Sequence, residues 1–179
     1  MRIRIRPHHS IFAFLVVTCL ANLPGCMQHG NTQALFTKPE LISRRRFAVL
    51  GLTPEQEQIL MARYTKAFPG QVITFVERSR LHEIMSEQDL LQGRLDERTR
   101  ARIKKIFGVE ALFICEYYDS TTRSGGKKLR IRIVDSATGV IIGSVMTQAP
   151  DNFHNHCATA VKALKTDLMG ANHLERSAR

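Results

Sequence analysis

The sequence predicts an α/β fold: a single-domain, mixed-sheet layer structure in the order β-α-β-α-α-β-β-β-α. Three observations carry this expectation. Phe47 to Leu52 and Gln71 to Glu77 are short apolar runs, each followed by residues at helical spacing. Leu129, Ile131 and Ile133 alternate with Lys128, Arg130 and Arg132, the period of a strand with one wet face. Phe153, Cys157, Ala160, Val161, Leu164 and Leu168 form one continuous apolar stripe at helical spacing. Such elements bury their apolar sides together by packing helices on a sheet.

The chain begins with an export signal. Arg2, Arg4 and Arg6 form a basic n-region, Ile11 to Ala21 an apolar h-region of 11 residues, and Leu23-Pro24-Gly25-Cys26 follows. An apolar run of that length is too short to span a bilayer comfortably. Leu23-Pro24-Gly25-Cys26 resembles a bacterial lipobox, in which cleavage precedes a Cys that is then acylated; Pro24 departs from that pattern at its second position. The resemblance implies residues 1–25 as a lipoprotein signal peptide and Cys26 as the lipidation site. Each buried methylene contributes about 0.8 kcal/mol, so three acyl chains hold a protein on a membrane. Met27, which is not Asp, favours the outer membrane under the enterobacterial sorting rule that this resemblance brings with it.

The whole chain of 179 residues carries +10; without Arg2, Arg4 and Arg6 it has 23 basic against 16 acidic residues, a charge of +7. At 44% hydrophobic residues it is globular rather than disordered. Residues 26–44 are expected to be the lipidated Cys and a flexible tether, because Met27 to Arg44 is polar and shows no sustained period. Its ~18 residues could reach at most about 60 Å. The α/β domain is expected over 45–170, with a polar tail over 171–179.

Within the domain, Phe47 to Leu52 is the first strand. Thr53-Pro54-Glu55-Gln56 starts a helix, with Thr53 as cap and Gln56 completing a capping box. Leu60, Tyr64, Ala67 and Phe68 give that helix its apolar side. Gln71 to Glu77 is apolar on both faces, Val72 and Val76 on one and Ile73 and Phe75 on the other, which predicts a strand inside the sheet. Ser79 is the expected cap of a second helix carrying Leu81, Ile84 and Met85, followed by a turn over Leu90 to Gly93. Asp96 caps a third helix ending at Gly108, with Thr99, Ile103, Ile106 and Phe107 on its apolar face. Ala111 to Tyr118 is a strand, Asp119 to Lys127 a polar loop, and two further strands flank the turn Ser136-Ala137-Thr138-Gly139. Pro150-Asp151-Asn152 starts the last helix.

Candidate contact residues follow from charge at the strand-to-helix junction and on the third helix. Glu77, Arg78 and Arg80 sit at the carboxyl end of a strand, where open α/β sheets often bind ligands. Arg98, Arg100, Arg102, Lys104 and Lys105 give the third helix a basic surface suited to an anionic partner or to solvent. His154-Asn155-His156-Cys157 does not make a metal site: on a helix the two His point ~160° apart, and Cys157 belongs to the apolar stripe. A Cys115–Cys157 disulfide is an alternative to a buried free Cys157. No G-x-S-x-G, Gly-rich phosphate loop or workable His/Cys/carboxylate set is present, so neither an enzyme nor a cofactor or small-molecule substrate is expected. Export conflicts with a nucleic-acid partner.

Phe75-Val76-Glu77-Arg78-Ser79-Arg80-Leu81 with Glu87-Gln88, then Gly108-Val109-Glu110-Ala111-Leu112, then Arg132-Ile133-Val134-Asp135 with Thr138-Gly139, resembles the CsgG family of curli production assembly and transport lipoproteins. The likeness runs from about Arg46 to Leu168. The family's curli member forms an outer-membrane ring channel, with an α/β domain facing the periplasm. The resemblance therefore implies a non-enzymatic envelope component of a secretion or surface-structure system, as a homo-oligomer or with an envelope protein partner. Glu77, Arg78, Arg80, Arg98, Arg102 and Lys105 are then contact candidates. The channel's membrane-spanning hairpins have no counterpart: Asp119 to Lys127 and Gln148 to Asn152 are too short for two strands of ~9–11 residues each. The alternative reading is a lipoprotein activator of a peptidoglycan synthase, which a long tether through the wall would favour.

Overall fold

The computed structural model describes residues 31–120, 126–149 and 152–177. Its six-stranded sheet has the order β1-β6-β5-β4-β2-β3. The strands are β1 (Asn31–Thr37), β2 (Arg46–Leu50), β3 (Thr74–Phe75), β4 (Ala111–Asp119), β5 (Lys127–Asp135) and β6 (Ile141–Ala149). β2 runs parallel to β3 and β4, and the other pairings are antiparallel. The helices are α1 (Pro54–Ala67), α2 (Arg78–Leu81), α3 (Glu87–Gln92), α4 (Glu97–Phe107) and α5 (Phe153–Ser177). The mixed-sheet α/β class and the approximate order of elements agree with the sequence.

Two cores lie on opposite faces of the sheet. On one, Leu60, Tyr64 and Phe68 beside α5's Cys157, Val161 and Leu164 cover Phe47, Phe113, Leu129, Ile131 and Val145. Tyr64 packs edge-on against Phe47 and Phe113, with ring centroids 5.5 and 4.9 Å apart. On the other, Leu81, Met85, Leu90, Ile103 and Phe107 cover Ala48, Leu50 and Leu112. β2 is buried on both faces because it has a helical layer on each side.

Several boundaries differ from expectation. The second half of the polar stretch is not a tether: β1 pairs with β6, and the 3-10 helix Pro39–Ser43 buries Leu41 in the main core. Lys38 also donates its backbone N–H to Ile142 at 2.9 Å. Edge strands bury little, so their sequences need not show a strand's apolar period.

The strand expected inside the sheet over Gln71 to Glu77 is a two-residue edge strand with one neighbour, and Val72 is 67% exposed. A β-branched run reads the same at an edge as at the centre when a helix covers one side. The helix expected to start at Ser79 starts at Arg78, with Glu77 as an N-cap whose side chain makes no cap bond. The expected turn over Leu90 to Gly93 is the end of α3, which Ser86 caps by accepting from the Asp89 N–H at 3.2 Å. On α4, Ile106 is exposed and Arg100 buried, the reverse of the sequence reading.

The expected polar tail over 171–179 is helical to Ser177. Asn152 remains the start of α5, its Oδ1 accepting the Asn155 N–H at 3.1 Å. Cys115 and Cys157 are free and buried rather than bridged, and burial pushes the Cys157 thiol up to about 12. The signal over 1–25, the lipobox and Cys26 lie outside the described residues.

Candidate functional site

At the β3–α2 junction the chain needs a cation more than it offers one to a partner. Glu57 lies three residues before Leu60 and seven before Tyr64, so it shares their buried side of α1 and is 3% exposed. A carboxylate there requires a counter-charge, because an unpaired buried ion is costly. Arg78 supplies it. Its Nη1 donates to Glu57 Oε2 at 3.0 Å and to the Leu52 carbonyl at 3.1 Å. Its Nε and Nη2 donate to the two Glu87 oxygens at 3.2 and 2.7 Å, a bidentate fork. His82 Nε2 lies 2.8 Å from Glu87 Oε2 at the outer rim of the same cluster.

Arg78 thereby joins three elements: the turn after β2, the first turns of α1, and the start of α3. Burial raises the Glu57 carboxyl above its ordinary value, and the hydrogen bond and charge of Arg78 offset only part of that. For Arg78, burial works against the guanidinium, and the hydrogen bonds to Glu87 and Glu57 outweigh it and raise its pKa. Glu87, at the half-exposed rim, is lowered by its hydrogen bond to Arg78.

Gly51 completes the corner beside this cluster. Its φ is +86°, and a Cβ there would stand 1.9 Å from the Cys115 carbonyl oxygen. Its N–H donates to the Leu90 carbonyl, which fastens α3 to the end of β2.

The six contact candidates thus separate. Arg78 has a side chain only 12% exposed and is committed to internal partners, so the structure gives it a positioning role. Glu77 is exposed and accepts from the Ser79 hydroxyl at 3.2 Å. Arg80 is exposed, pairs with Glu83 at 3.0 Å and stacks over Phe107 of α4 with 5.3 Å to the ring centre. Arg98, Arg102 and Lys105 are exposed on α4 together with Ile106, which is 52% exposed. Arg80 is therefore brought against the α4 helix that carries the other basic candidates. Glu57 was missed in the sequence, although its helical spacing from Leu60 and Tyr64 was the available signal.

Arg100 was also misplaced among the solvated charges. It forms an ion pair with Glu97 and donates from Nη1 to the Ser136 carbonyl, holding α4 to the β5–β6 turn. In that turn Asp135 Oδ1 accepts from the N–H groups of Ala137 and Thr138 at 3.0 and 2.8 Å and from the Thr138 hydroxyl at 2.9 Å. Its Oδ2 pairs with Arg44 at 2.7 Å. Burial acts to raise the Asp135 carboxyl, but these bonds and Arg44 hold it below its ordinary value. The third sequence motif is thus a buried polar turn.

A further surface lies on the sheet itself. The face of β4, β5, β6 and β1 turned away from α5 places Ile114, Arg132, Ser144 and Phe36 in one cross-strand row. Glu116 lies next along β4 and pairs with Arg132 at 3.2 Å and Arg130 at 3.4 Å. Phe36 is 43% exposed there. Among the described residues no group of three or more His, Cys, Asp or Glu is placed to hold a metal ion. His156 sits in the core with Nδ1 2.8 Å from the Thr147 hydroxyl, while His154 contacts Arg63.

The motifs at the β3–α2 corner and the Asp135 turn fall inside the part of the chain, residues 70–173, that matches the family described as curli production assembly/transport component CsgG. The chain belongs to the CsgG family. No curated protein matches its sequence. Among solved structures, it is similar to a PelC dodecamer from Paraburkholderia phytofirmans, with TM-score 0.45 and 10% identity over 78% of this chain and 96% of that one. It is also similar to lipoprotein GNA1162 from Neisseria meningitidis, with TM-score 0.36 and 13% identity over 70% of this chain and 99% of that one. Likeness at this level bears on neither assembly nor substrate. Membership of the CsgG family supports a role in secretion or assembly.

Proposed function

We propose that this CsgG-family chain is a lipid-anchored, non-enzymatic accessory component of a secretion or surface-structure system, held by Cys26 on the periplasmic side of the outer membrane. The observation that carries the reading is the family match over residues 70–173 together with two strand connections too short for membrane hairpins. β4 and β5 are joined directly: Asp119 pairs with Lys127, and the Ser120 N–H donates to the Gly126 carbonyl at 2.8 Å. β6 ends at Ala149 and α5 begins at Phe153. Neither connection holds the two strands of ~9–11 residues that a spanning hairpin needs. The chain then works beside a membrane conduit rather than as one, assembling with copies of itself or with an envelope protein through exposed surfaces such as Arg80 with the outer side of α4.

The peptidoglycan-synthase activator reading, which a long tether would favour, is weakened further by β1. Only Met27 to Gly30 lie between Cys26 and that strand, so the leash is far shorter than the sequence suggested. Planar-bilayer conductance and light scattering on the detergent-extracted protein test the proposal. Multimers, alone or with a co-purifying envelope protein, and no discrete conductance steps are expected. Channel openings from the purified chain would overturn it.

A further inference from the structure

If Cys26 is acylated, as the proposed function holds, the position of β1 fixes which part of the domain meets the membrane. Five Cα–Cα steps from Cys26 to Asn31 span at most about 18 Å even when fully extended. Asn31 lies in a cross-strand row with Gln148, Lys128 and Tyr118, through β1, β6, β5 and β4. At about 4.8 Å per strand that whole row lies within about 15 Å of Asn31. The opposite end of the sheet, with the exposed turn residue Ala137, is more than about 20 Å further along the strands. The leash therefore keeps this end of the sheet within reach of the lipid, whereas the Ala137 end is free to stand away from it.

The chemistry of this end fits a headgroup layer. Lys127 and Lys128 begin β5 and point to opposite faces of the sheet, so each face carries one lysine at this end. The Lys127 side chain is 45% exposed, pairs with Asp119 at 2.9 Å, and lies 5.2 Å from the centre of the Tyr117 ring. Asp119 is itself 84% exposed, so this pair is a weak surface one that an anionic surface can replace. Tyr118 is 37% exposed beside Lys128, an aromatic of the type that settles at the level of headgroups.

We propose that this sheet end, built on Tyr118, Lys127 and Lys128, is a seat for anionic phospholipid headgroups that fixes the orientation of the anchored domain. Lipidation holds the chain on the membrane; the seat stops the domain from tumbling on its leash. A lysine near an anionic surface contributes about fivefold in the equilibrium between seated and lifted forms. Lys128 carries that effect more fully than Lys127, which Asp119 already engages.

The test uses full-length protein, extracted after processing and reconstituted in phosphatidylcholine vesicles with or without phosphatidylglycerol. A fluorophore is attached at Ser120→Cys on the hairpin or at Ala137→Cys on the far turn. Cys115 and Cys157 are buried and do not compete for label. A phospholipid carrying a nitroxide on its headgroup quenches whichever label lies at the surface, and intact mass reports the acyl groups in the same sample.

Strong quenching of the Ser120 label and weak quenching of the Ala137 label, in phosphatidylglycerol-containing vesicles, is expected. Lys128→Gln should cut the ratio of seated to lifted forms by about fivefold, and Lys127→Gln by less, with melting temperature unchanged. Equal quenching of the two labels in acylated protein overturns the seat. Identical behaviour without phosphatidylglycerol overturns the anionic recognition. A mass without acyl groups overturns the anchor reading, and the seat with it.

Discussion

Replacing Arg78 with Met removes the cation while keeping much of the side chain's length, and its effect can be worked from the geometry. Four hydrogen bonds disappear: two to Glu87, one to Glu57 and one to the Leu52 carbonyl. The Glu87 half is worth little, since that side chain is 46% exposed and water takes over. The Glu57 half dominates. Its side chain is 4% exposed, and stranding a buried carboxylate costs about 3–5 kcal/mol. For a chain of this size about 2–4 °C in Tm accompany each kcal/mol, so thermal unfolding followed by circular dichroism should shift down by about 6–20 °C.

The pH dependence has a definite sign. Glu57 already titrates above its ordinary value, and removing Arg78 raises it further. A group whose folded pKa is raised favours the folded state below its unfolded value and loses that contribution as pH rises through the folded value. The deficit of Arg78→Met should therefore be largest at neutral pH and shrink as pH falls through the carboxylate range. The double variant Glu57→Gln with Arg78→Met should be less destabilised than the sum of the single changes. A loss below about 1 kcal/mol that does not vary with pH would refute the positioning role and return Arg78 to the list of partner contacts.

Three other perturbations test separate parts of the fold. Leu41→Ala should cost about 2–5 kcal/mol in urea unfolding, because Leu41 is 1% exposed in the main core; a neutral result would restore the flexible-tether reading. Gly51→Ala should lower stability by about 3 kcal/mol or more, since it combines positive φ with a backbone clash, and soluble protein with the parent's Tm would contradict that geometry. Asp135→Asn should cost about 1–3 kcal/mol at neutral pH. Asp135 is lowered in the folded chain, so its contribution is present above the ordinary aspartate value and lost as pH falls through the folded one. The gap between parent and variant should accordingly close in strong acid, and a gap that widens there would refute the Asp135 account.

The parts of the fold visible in the sequence were those where one side of an element is buried and the other wet. The α5 stripe and the β5 alternation are of this kind, and both appear where their periods place them. Thr53 and Gln56 also form the capping box that their spacing implies. β1 escaped because Asn31–Thr37 forms an edge whose pairing is made by backbone groups, which carry no side-chain signature. The Gln71–Glu77 run was overread for a related reason: β-branched residues report extended backbone, not the number of neighbouring strands.

At the candidate site, charge was legible and its destination was not. Arg78, Arg80 and Arg100 look alike in sequence; in the fold the first holds Glu57, the second stacks on Phe107 and the third grips Ser136. What separates them is the counter-charge or carbonyl that tertiary packing brings near. Only Glu57 announced itself locally, as an acid on an apolar helical stripe.

The most direct test of the central claim is incorporation of radiolabelled palmitate into the full chain, with Cys26→Ser beside it. The account expects a labelled parent and an unlabelled variant, because every proposal for membrane placement starts at that thiol. Equal labelling of the two, or none in the parent, would contradict it.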